Sequence, residues 1–159
     1  MLPAYQIIPA RTPDDLRSTA ALFDAYARSL PVDLGYQDFS AELASLPGKY
    51  APPRGELLLA RRADGQALGC VGLRPLEAEG ACEMKRLYLA PEARGTGLGR
   101  ALAEAVIRRA REIGYRELRL DTLATMTSAI GLYGQMGFAR IEPYYAPTPS
   151  GTIFMALRL

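Results

Sequence analysis

The chain contains 159 residues, of which 49% are apolar and 23% charged, and its formal net charge at pH 7 is +2. This composition is typical of one globular domain spanning residues 1–159, and the small net charge gives no ground for a nucleic-acid-binding surface. No apolar run approaches the roughly 18 residues that cross a bilayer, and the first residues lack the basic start and apolar core of a signal peptide.

The front half of the chain alternates between strand and helix patterns. Residues 4–10 predict a first strand, and residues 12–30 predict an amphipathic helix with Thr12 as its N-cap and Pro13 at its first position. A short helix is expected over residues 39–46, before a loop rich in proline and glycine. Three strands follow, the first two joined by an Asp-Gly turn, at residues 55–62, 67–76 and 82–90.

The back half adds two helices and three strands. Residues 100–114 form the strongest helical pattern, with one apolar stripe and Gly114 as the C-terminal cap. The crossover through this helix is predicted to be parallel and right-handed, and the other strand pairings antiparallel. The expected fold class is therefore α/β, of the α+β type, with a mixed, mostly antiparallel sheet and helices on both faces. The remaining elements are a strand at 117–122, a shorter helix at 126–136, and a closing strand pair at 138–146 and 152–159.

The available side chains limit the chemistry. Histidine is absent, which excludes a histidine base, a Ser–His pair and a histidine-ligated metal. Cys70 and Cys82 are the only cysteines, and both lie in apolar strand-like runs. We predict that they are reduced core thiols of a cytoplasmic protein rather than a disulfide, a catalytic thiol or a zinc site. Catalysis must then rely on carboxylates, tyrosine, lysine, arginine, hydroxyls and backbone amides, with no metal.

Three glycines precede the strongest helix, at Gly95, Gly97 and Gly99. A tight turn at a helix N-terminus gathers unpaired N–H groups and the positive end of the helix dipole, and glycine lets the backbone approach an anion. Arg94 and Arg100 flank the turn and would suit a pyrophosphate. The alternative is a glycine-rich turn that only packs the helix against a strand.

Two other phosphate-binding motifs fit this turn poorly. A P-loop needs lysine followed by serine or threonine after its second glycine, and the chain does not supply them. A dinucleotide-binding fingerprint needs a small residue where Arg100 stands, although Asp121 at the end of the next strand could mimic its ribose-binding acid.

The run LYLAPEARGTGLGRAL, residues 87–102, resembles the acyl-CoA signature of the GNAT superfamily of N-acetyltransferases, Arg/Gln-x-x-Gly-x-Gly/Ala. Arg94, Gly97 and Gly99 stand in the places of that motif. Residues 128–141, SAIGLYGQMGFARI, resemble the family's second signature, an Ala-x-x-Leu-Tyr run that ends in Gly-Phe. The resemblance covers nearly the whole chain. It implies a central sheet splayed at one parallel strand pair and an acetyl-CoA-dependent acyltransferase.

The resemblance also implies which residues hold acetyl-CoA. The glycine turn is expected to bind the pyrophosphate, and the strand before it to pair its backbone with the pantetheine arm. Met126 replaces an asparagine that the family often carries, so that contact is expected to be absent or to come from Thr125, Thr127 or Ser128. The predicted cofactor-binding residues are Leu87, Tyr88, Leu89, Arg94, Gly95, Thr96, Gly97, Leu98, Gly99 and Arg100.

Two residues are predicted to be catalytic. The resemblance puts Tyr133 near the sulfur, as the acid that protonates the leaving thiolate, although its helical stripe with Met126 also suits a core residue. Glu83 precedes the cofactor-pairing segment and is expected to be the base that frees the amine; otherwise it pairs with a neighbouring lysine or arginine. The Leu89 N–H is the predicted donor to the thioester oxygen. A β-bulge near Tyr88, common in the family, would switch the faces of the residues beyond it.

The acceptor site is expected to be built from residues 28–54 and 143–151, which carry no readable motif, with Tyr144 and Tyr145 on the acceptor side. Three cations near the central strands either anchor a substrate carboxylate or are solvated strand-end charges: Lys85, Arg86 and Arg74.

The predicted function is acetyl transfer from acetyl-CoA to an amine acceptor, either a small molecule or a peptide. No nucleic-acid or membrane partner is expected, and a homodimer is left open. Two functions from other classes remain as alternatives. One is a catalytically silent acyl-CoA-binding sensor or partner-binding domain, and the other is a nicotinamide-dependent oxidoreductase.

Overall fold

Seven strands and four α-helices make up the regular structure of residues 4–159, the part of the chain that the computed structural model describes. The strands are β1 (Tyr5–Pro9), β2 (Glu56–Arg62), β3 (Ala67–Pro75), β4 (Ala81–Leu89), β5 (Glu117–Leu123), β6 (Ala139–Ile141) and β7 (Thr152–Arg158). The helices are α1 (Pro13–Ser29), α2 (Phe39–Ala44), α3 (Leu98–Ile113) and α4 (Thr127–Gln135), and short 3-10 turns cover Leu34–Gln37, Gly48–Tyr50 and Pro91–Ala93. Among residues 4–159, no helix has the length and apolar character needed to cross a membrane.

The strands form one mixed sheet in the order β1-β2-β3-β4-β5-β7-β6. Only β4 and β5, which α3 connects, are parallel, and the other neighbouring pairs are antiparallel. The predicted fold class is confirmed, including the parallel crossover. The last strand, β7, lies between β5 and β6, so the closing hairpin adds its second strand directly to the sheet.

Helices cover both faces of the sheet, and β2 is therefore buried on both sides. Leu57 and Leu59 face α1 and join a cluster around Phe23, whereas Leu58 and Ala60 join the larger cluster that α3 covers. This period of two is the alternation of a β-strand. The predicted apolar stripe of α3 is confirmed, since its members pack into the larger cluster: Leu98, Leu102, Ala105, Val106, Ala110 and Ile113.

The start of α1 follows the prediction closely. The Asp15 N–H donates to Thr12 Oγ1 at 3.0 Å, and the Asp15 carboxylate accepts from the Thr12 N–H at 3.2 Å, which forms a reciprocal capping box. Asp14 adds a second negative charge in the first turn. The positive end of this helix is therefore neutralised by its own residues.

Two predicted boundaries are wrong. The strand expected over residues 138–146 is only Ala139–Ile141, because the following loop turns its tyrosine side chains toward buried carboxylates instead of continuing the ladder. The long helix begins at Leu98, two residues early, because Gly97 already acts as its N-cap. The predicted bulge near Tyr88 is confirmed: it lies at Arg86 and Leu87, and Arg86 has a left-handed φ of 60°.

A buried carboxylate joins three parts of the fold. Glu56, at the start of β2, is 2% exposed and accepts hydrogen bonds from both terminal nitrogens of Arg11 at 2.7 and 3.0 Å. It also accepts from Arg109 Nε on α3 at 3.0 Å and from the Leu57 N–H at 2.9 Å. Burial raises the pKa of this carboxyl, but the hydrogen bonds outweigh burial, and the net pKa lies below the ordinary 4.5. The ionised form therefore stabilises the folded state.

We expect Glu56→Gln to lower the free energy of unfolding by about 1.5–3 kcal/mol at pH 7, because the charge-assisted bonds to both arginines are lost. Since the folded pKa is depressed, the difference between parent and variant is fully present above pH 4.5 and shrinks as the pH falls below that value. Urea unfolding at several pH values measures it.

Glu112→Gln is the matched control. Glu112 contacts the same Arg109 at 3.3 Å, but its side chain is 63% exposed. We expect a change within about 0.5 kcal/mol, since exposed ion pairs contribute little. Equal effects of the two substitutions, or a difference that does not shrink as the pH falls below 4.5, would contradict the role given to Glu56.

Candidate active site

The two parallel strands separate soon after they pair. Their register covers only Ala81–Glu117, Cys82–Leu118 and Glu83–Arg119. Beyond the third pair, the remaining six residues of β4 and four of β5 are unpaired with each other. The splayed parallel pair implied by the family resemblance is confirmed, and it opens a gap in the middle of the sheet.

A cavity of about 240 Å³ occupies this gap. Of the predicted cofactor-binding residues, Leu87, Leu89 and Gly99 line it, and so does Tyr133 from α4. The opposite wall comes from α1 and the 3-10 turn after it, at Tyr26, Leu30, Leu34, Tyr36 and Gln37.

The β4 backbone offers hydrogen-bonding groups to the gap. On its other edge, the Ala90 N–H donates to the Leu68 carbonyl at 2.8 Å, which anchors the end of β4 to β3. Because successive residues of a strand turn their N–H groups to opposite edges, the N–H of Leu89 is directed toward the gap. This is the orientation that the predicted donor to a thioester oxygen needs.

The glycine turn displays a run of free amides. Among the described residues, none accepts a hydrogen bond from the six N–H groups of Gly95 to Arg100, and the first amide of this helical end with a partner is that of Ala101. Gly95 and Gly97 have φ values of 74° and 86°, a region that side-chain-bearing residues rarely adopt, and a Cβ at either would meet no atom within 4 Å. The turn is therefore open to an anion on its outer side.

The start of α3 contrasts with that of α1. Its first turn contains no acidic residue and its N-cap makes no side-chain hydrogen bond. Thr96 Oγ1 donates to the Ala93 carbonyl, which supports the turn from within, while Arg94 and Arg100 are exposed. The positive end of this helix is left free, as an anion site at a helix N-terminus requires.

Tyr133 combines features of the core and of a site residue. It is 7% exposed and its ring packs on Phe138 with centroids 5.6 Å apart, as a core residue would. Its hydroxyl, however, has no hydrogen-bond partner in residues 4–159. Every fully buried side-chain nitrogen and oxygen of those residues has such a partner, so the Tyr133 hydroxyl is not fully buried and must reach the cavity that Tyr133 lines. Burial raises the pKa of Tyr133, so the hydroxyl carries its proton at neutral pH.

Glu83 and Tyr133 are not brought together in one cavity. Glu83 is 1% exposed and accepts hydrogen bonds from Arg74 Nε at 2.8 Å and from the Tyr144 hydroxyl. It lines a second, outer cavity of about 460 Å³ beside the closed end of the gap. Lys85, on the same face of β4, lies 3.9 Å from its carboxylate.

A buried polar network that the sequence did not predict lies where the two cavities meet. Lys85 Nζ donates to Asp121 Oδ1 at 3.3 Å, across the point where β4 and β5 part, and to Gln37 Oε1 at 3.0 Å. Gln37 Nε2 donates to the other Asp121 oxygen at 3.0 Å and to the Tyr145 hydroxyl at 2.8 Å. Gln37 lines both cavities. Tyr144 and Tyr145, predicted to lie on the acceptor side, line the outer cavity.

The cations of this region are not solvated strand-end charges, so that alternative is wrong for Lys85 and Arg86, which are 4% and 5% exposed. Burial lowers the pKa of Lys85, and the carboxylates of Glu83 and Asp121 oppose that shift. Arg86 is held by two hydrogen bonds to Glu42 at 3.0 and 3.1 Å. A signal for Lys85 was present in the sequence, since Glu83 and Lys85 alternate with apolar residues in an apolar strand, whereas Arg86 interrupts that alternation.

The other predicted site features are distributed as follows. Ser128 and Met126 line the inner cavity, and of the three candidates to replace the missing asparagine only Ser128 does so. Cys70 and Cys82 are free and buried, and burial raises the pKa of both thiols. Residues 4–159 contain no group of three histidine, cysteine, aspartate or glutamate side chains arranged to hold a metal ion.

Known proteins resemble this chain in both sequence and fold. The profile of the acetyltransferase (GNAT) family matches residues 19–138. A Schizosaccharomyces pombe protein named as an uncharacterized N-acetyltransferase is 40% identical, over 96% of this chain and 94% of its own length. An Escherichia coli protein named in the same way is 32% identical, over 82% of this chain and 77% of its own. A Staphylococcus aureus acetyltransferase structure of the GNAT family superposes with a TM-score of 0.80 at 19% identity, covering 98% of this chain and 99% of that one.

We expect Gly97→Ala to weaken acetyl-CoA binding by at least about 10-fold, because its Cβ would project into the open side of the turn where a pyrophosphate would lie. The parent protein should be stabilised by about 2.7 kcal/mol when acetyl-CoA is present at 100 times its Kd. Thermal unfolding with and without acetyl-CoA, with calorimetric titration, measures both effects.

Gly65→Ala controls for backbone strain. Gly65 lies in the β2–β3 turn, with φ of 91° and no atom within 4 Å of the place that a Cβ would occupy, so the two substitutions should cost the fold a similar ~1–2 kcal/mol. Only the change at Gly97 should reduce the ligand-induced shift. If Gly97→Ala binds acetyl-CoA as tightly as Gly65→Ala does, the glycine turn is not the phosphate site.

Proposed function

Because this chain belongs to the acetyltransferase (GNAT) family, we propose that it transfers the acetyl group of acetyl-CoA directly to a primary amine. The acceptor is a small molecule or a peptide, and no covalent acyl-enzyme takes part. The observation that carries the proposal is a single gap in the sheet that joins the Leu89 backbone, the Tyr133 hydroxyl and the glycine-turn residue Gly99.

The residues around the gap fit acetyl-CoA. The six free amides from Gly95 to Arg100 and the unneutralised end of α3 would hold its pyrophosphate, with Arg94 and Arg100 adding charge. The free edge of β4, including Leu87 and Leu89, would pair with the amides of its pantetheine arm. When bound, this cosubstrate supplies the acetyl group as a thioester.

Freeing the amine is the first requirement. An amine with a pKa near 10.4 is protonated at pH 7, and releasing its lone pair costs about 4.6 kcal/mol. Glu83 is the proposed base: its carboxylate lines the outer cavity, where Tyr144 and Arg74 hold it in place. To attack the thioester the amine must enter the inner cavity, so its proton would pass to Glu83 through water beside Lys85, which lines that cavity and lies 3.9 Å from Glu83.

Two further groups would assist the transfer itself. The Leu89 N–H, directed into the gap, would donate to the thioester oxygen as negative charge builds on it. Tyr133 would give its proton to the departing sulfur, because its hydroxyl is protonated at neutral pH and has no hydrogen-bond partner in residues 4–159, although the raised pKa makes it a weaker acid. Base, oxygen donor and acid are then all supplied by side chains and backbone of this chain.

The proposed function is tested by acceptor turnover. Free amino acids, polyamines, aminoglycosides and peptides with a free N-terminus are each incubated with acetyl-CoA, and release of the CoA thiol is measured. We expect at least one amine to give stoichiometric CoA and N-acetylated product. Binding of acetyl-CoA without turnover of any amine would favour a silent acyl-CoA-binding domain, and a thermal shift with NADH but not acetyl-CoA would favour an oxidoreductase.

Substitution of the proposed acid and base should lower kcat while acetyl-CoA affinity stays nearly constant. For Tyr133→Phe we expect about a 10–10³-fold loss, because a thiol of pKa near 8.5 leaves tolerably well without a proton. For Glu83→Gln we expect about a 10²–10⁴-fold loss. Steady-state kinetics with the best acceptor, beside calorimetric binding of acetyl-CoA, measures both.

Matched controls remove the same groups elsewhere. Tyr115→Phe deletes a hydroxyl that donates to the Arg54 carbonyl outside both cavities, and Glu104→Gln changes an exposed carboxylate on α3. Neither should change kcat. A Tyr133→Phe enzyme with unchanged kcat would return Tyr133 to the core and leave proton delivery to water, and an unchanged Glu83→Gln enzyme would leave Glu83 as a partner of Arg74.

A further inference from the structure

Two arginines that line the outer cavity have N–H donors without a hydrogen-bond partner in residues 4–159. Arg74 on β3 uses its Nε for Glu83, and Arg119 on β5 uses its Nε for Glu117. Among residues 4–159, no group accepts a hydrogen bond from either pair of terminal guanidinium nitrogens, and Arg74 Nη1 lies 3.8 Å from Glu42, beyond hydrogen-bond distance. Since every fully buried side-chain nitrogen of those residues is satisfied, these four nitrogens are open to the cavity or to water.

The two arginines are also fixed in position. The Arg119 guanidinium lies over the Tyr144 ring, 5.3 Å from its centroid, and Tyr144 is held in turn by its hydrogen bond to Glu83. Their side chains are only 20% and 23% exposed, so a ligand reaching them would lose little side-chain entropy from the protein. Planar guanidinium groups with paired free N–H donors match the two oxygens of a carboxylate.

Among the side chains that line the outer cavity, the formal charges cancel. Arg74 and Arg119 are positive, and Glu77 and Glu83 are negative. A ligand with one positive and one negative group leaves the net charge of the cavity unchanged. An amine without a carboxylate, or a doubly charged phosphate, would instead add an uncompensated charge to a partly buried site. The cavity therefore favours a ligand that carries both an ammonium and a carboxylate.

Resting on the proposed function, in which Glu83 accepts the proton of the acceptor, we propose that the acceptor is a free amino acid. Its carboxylate is bound in the outer cavity by the free guanidinium nitrogens of Arg119 and Arg74, and its amine extends past Glu83 toward the gap in the sheet, where the two cavities share Gln37. Glu83, Arg74 and Arg119 line the same cavity, as an amine and a carboxylate of one small molecule require. A peptide N-terminus lacks the nearby carboxylate and is discriminated against.

The test compares acids with their amides. The common L-amino acids are assayed for CoA release, and each one that reacts is compared with its carboxamide, which has the same amine but no carboxylate and resembles a peptide N-terminus. We expect kcat/KM for the acid to exceed that for the amide by about 10- to 100-fold. Arg119→Met should reduce this ratio at least about 10-fold, mainly through KM, and Arg119→Lys should reduce it less because charge remains.

Arg158→Met is the matched control, since Arg158 is an exposed arginine at the end of β7 that lies outside the outer cavity. The acid-to-amide ratio should not change in that variant. Equal turnover of acid and amide, an unchanged ratio in Arg119→Met, or turnover only of amines without a carboxylate would each overturn the inference while leaving acetyl transfer intact.

Calorimetric binding separates the two proposals if no amine releases CoA. That outcome would contradict the proposed function. The amino acids and their carboxamides are then titrated into the protein saturated with desulfo-CoA. Binding of an acid but not of its amide, lost in Arg119→Met and kept in Arg158→Met, would support the carboxylate site by itself, and binding of neither would overturn it.

Discussion

The early separation of β4 and β5 is the constraint on which the rest of the site depends. Three residue pairs hold the strands together, and after Glu83 the sheet opens. The bulge at Arg86 bends β4 just beyond that point, because an extra residue in one strand increases its local twist. The gap frees the Leu89 backbone, admits the Tyr133 hydroxyl, and points toward the free N-terminus of α3. In a regular parallel pair the same backbone groups would be consumed by the ladder.

The gap is closed on one side by charge rather than by apolar packing. Lys85 and Asp121 meet across it, and the Gln37 amide bonds to both. Burying ions is costly, and replacing such pairs by apolar groups is often neutral or stabilising, so a pair of this kind is weak evidence for stability. Its position where the two cavities meet instead gives it a functional setting, since Gln37 lines both cavities and Lys85 and Asp121 line the inner one.

The two long helices differ in whether their N-terminal amides have hydrogen-bond partners. At α1, Thr12 and Asp15 satisfy the first amides, and the helix start is closed to ligands. At α3, Gly97 in a left-handed conformation begins the helix without a side-chain cap or an acidic first turn, and the amides stay free. Free N–H groups at an exposed helix end can donate hydrogen bonds to water, so leaving them without a partner in the protein destabilises the fold little. A bound anion would accept hydrogen bonds from the same groups.

Local spacing determined the helix patterns, the three-strand meander, the capping at Thr12 and the glycine turn, because each depends on residues a few positions apart. The family signatures likewise placed the turn and Tyr133 correctly on their elements. Only the tertiary structure decided which carboxylate faces which cavity and how the buried cations are paired. Lys85 meets Gln37 and Asp121 from 48 and 36 positions away, respectively. No periodicity reports contacts at such separations, since they exist only once the sheet has brought its strands together.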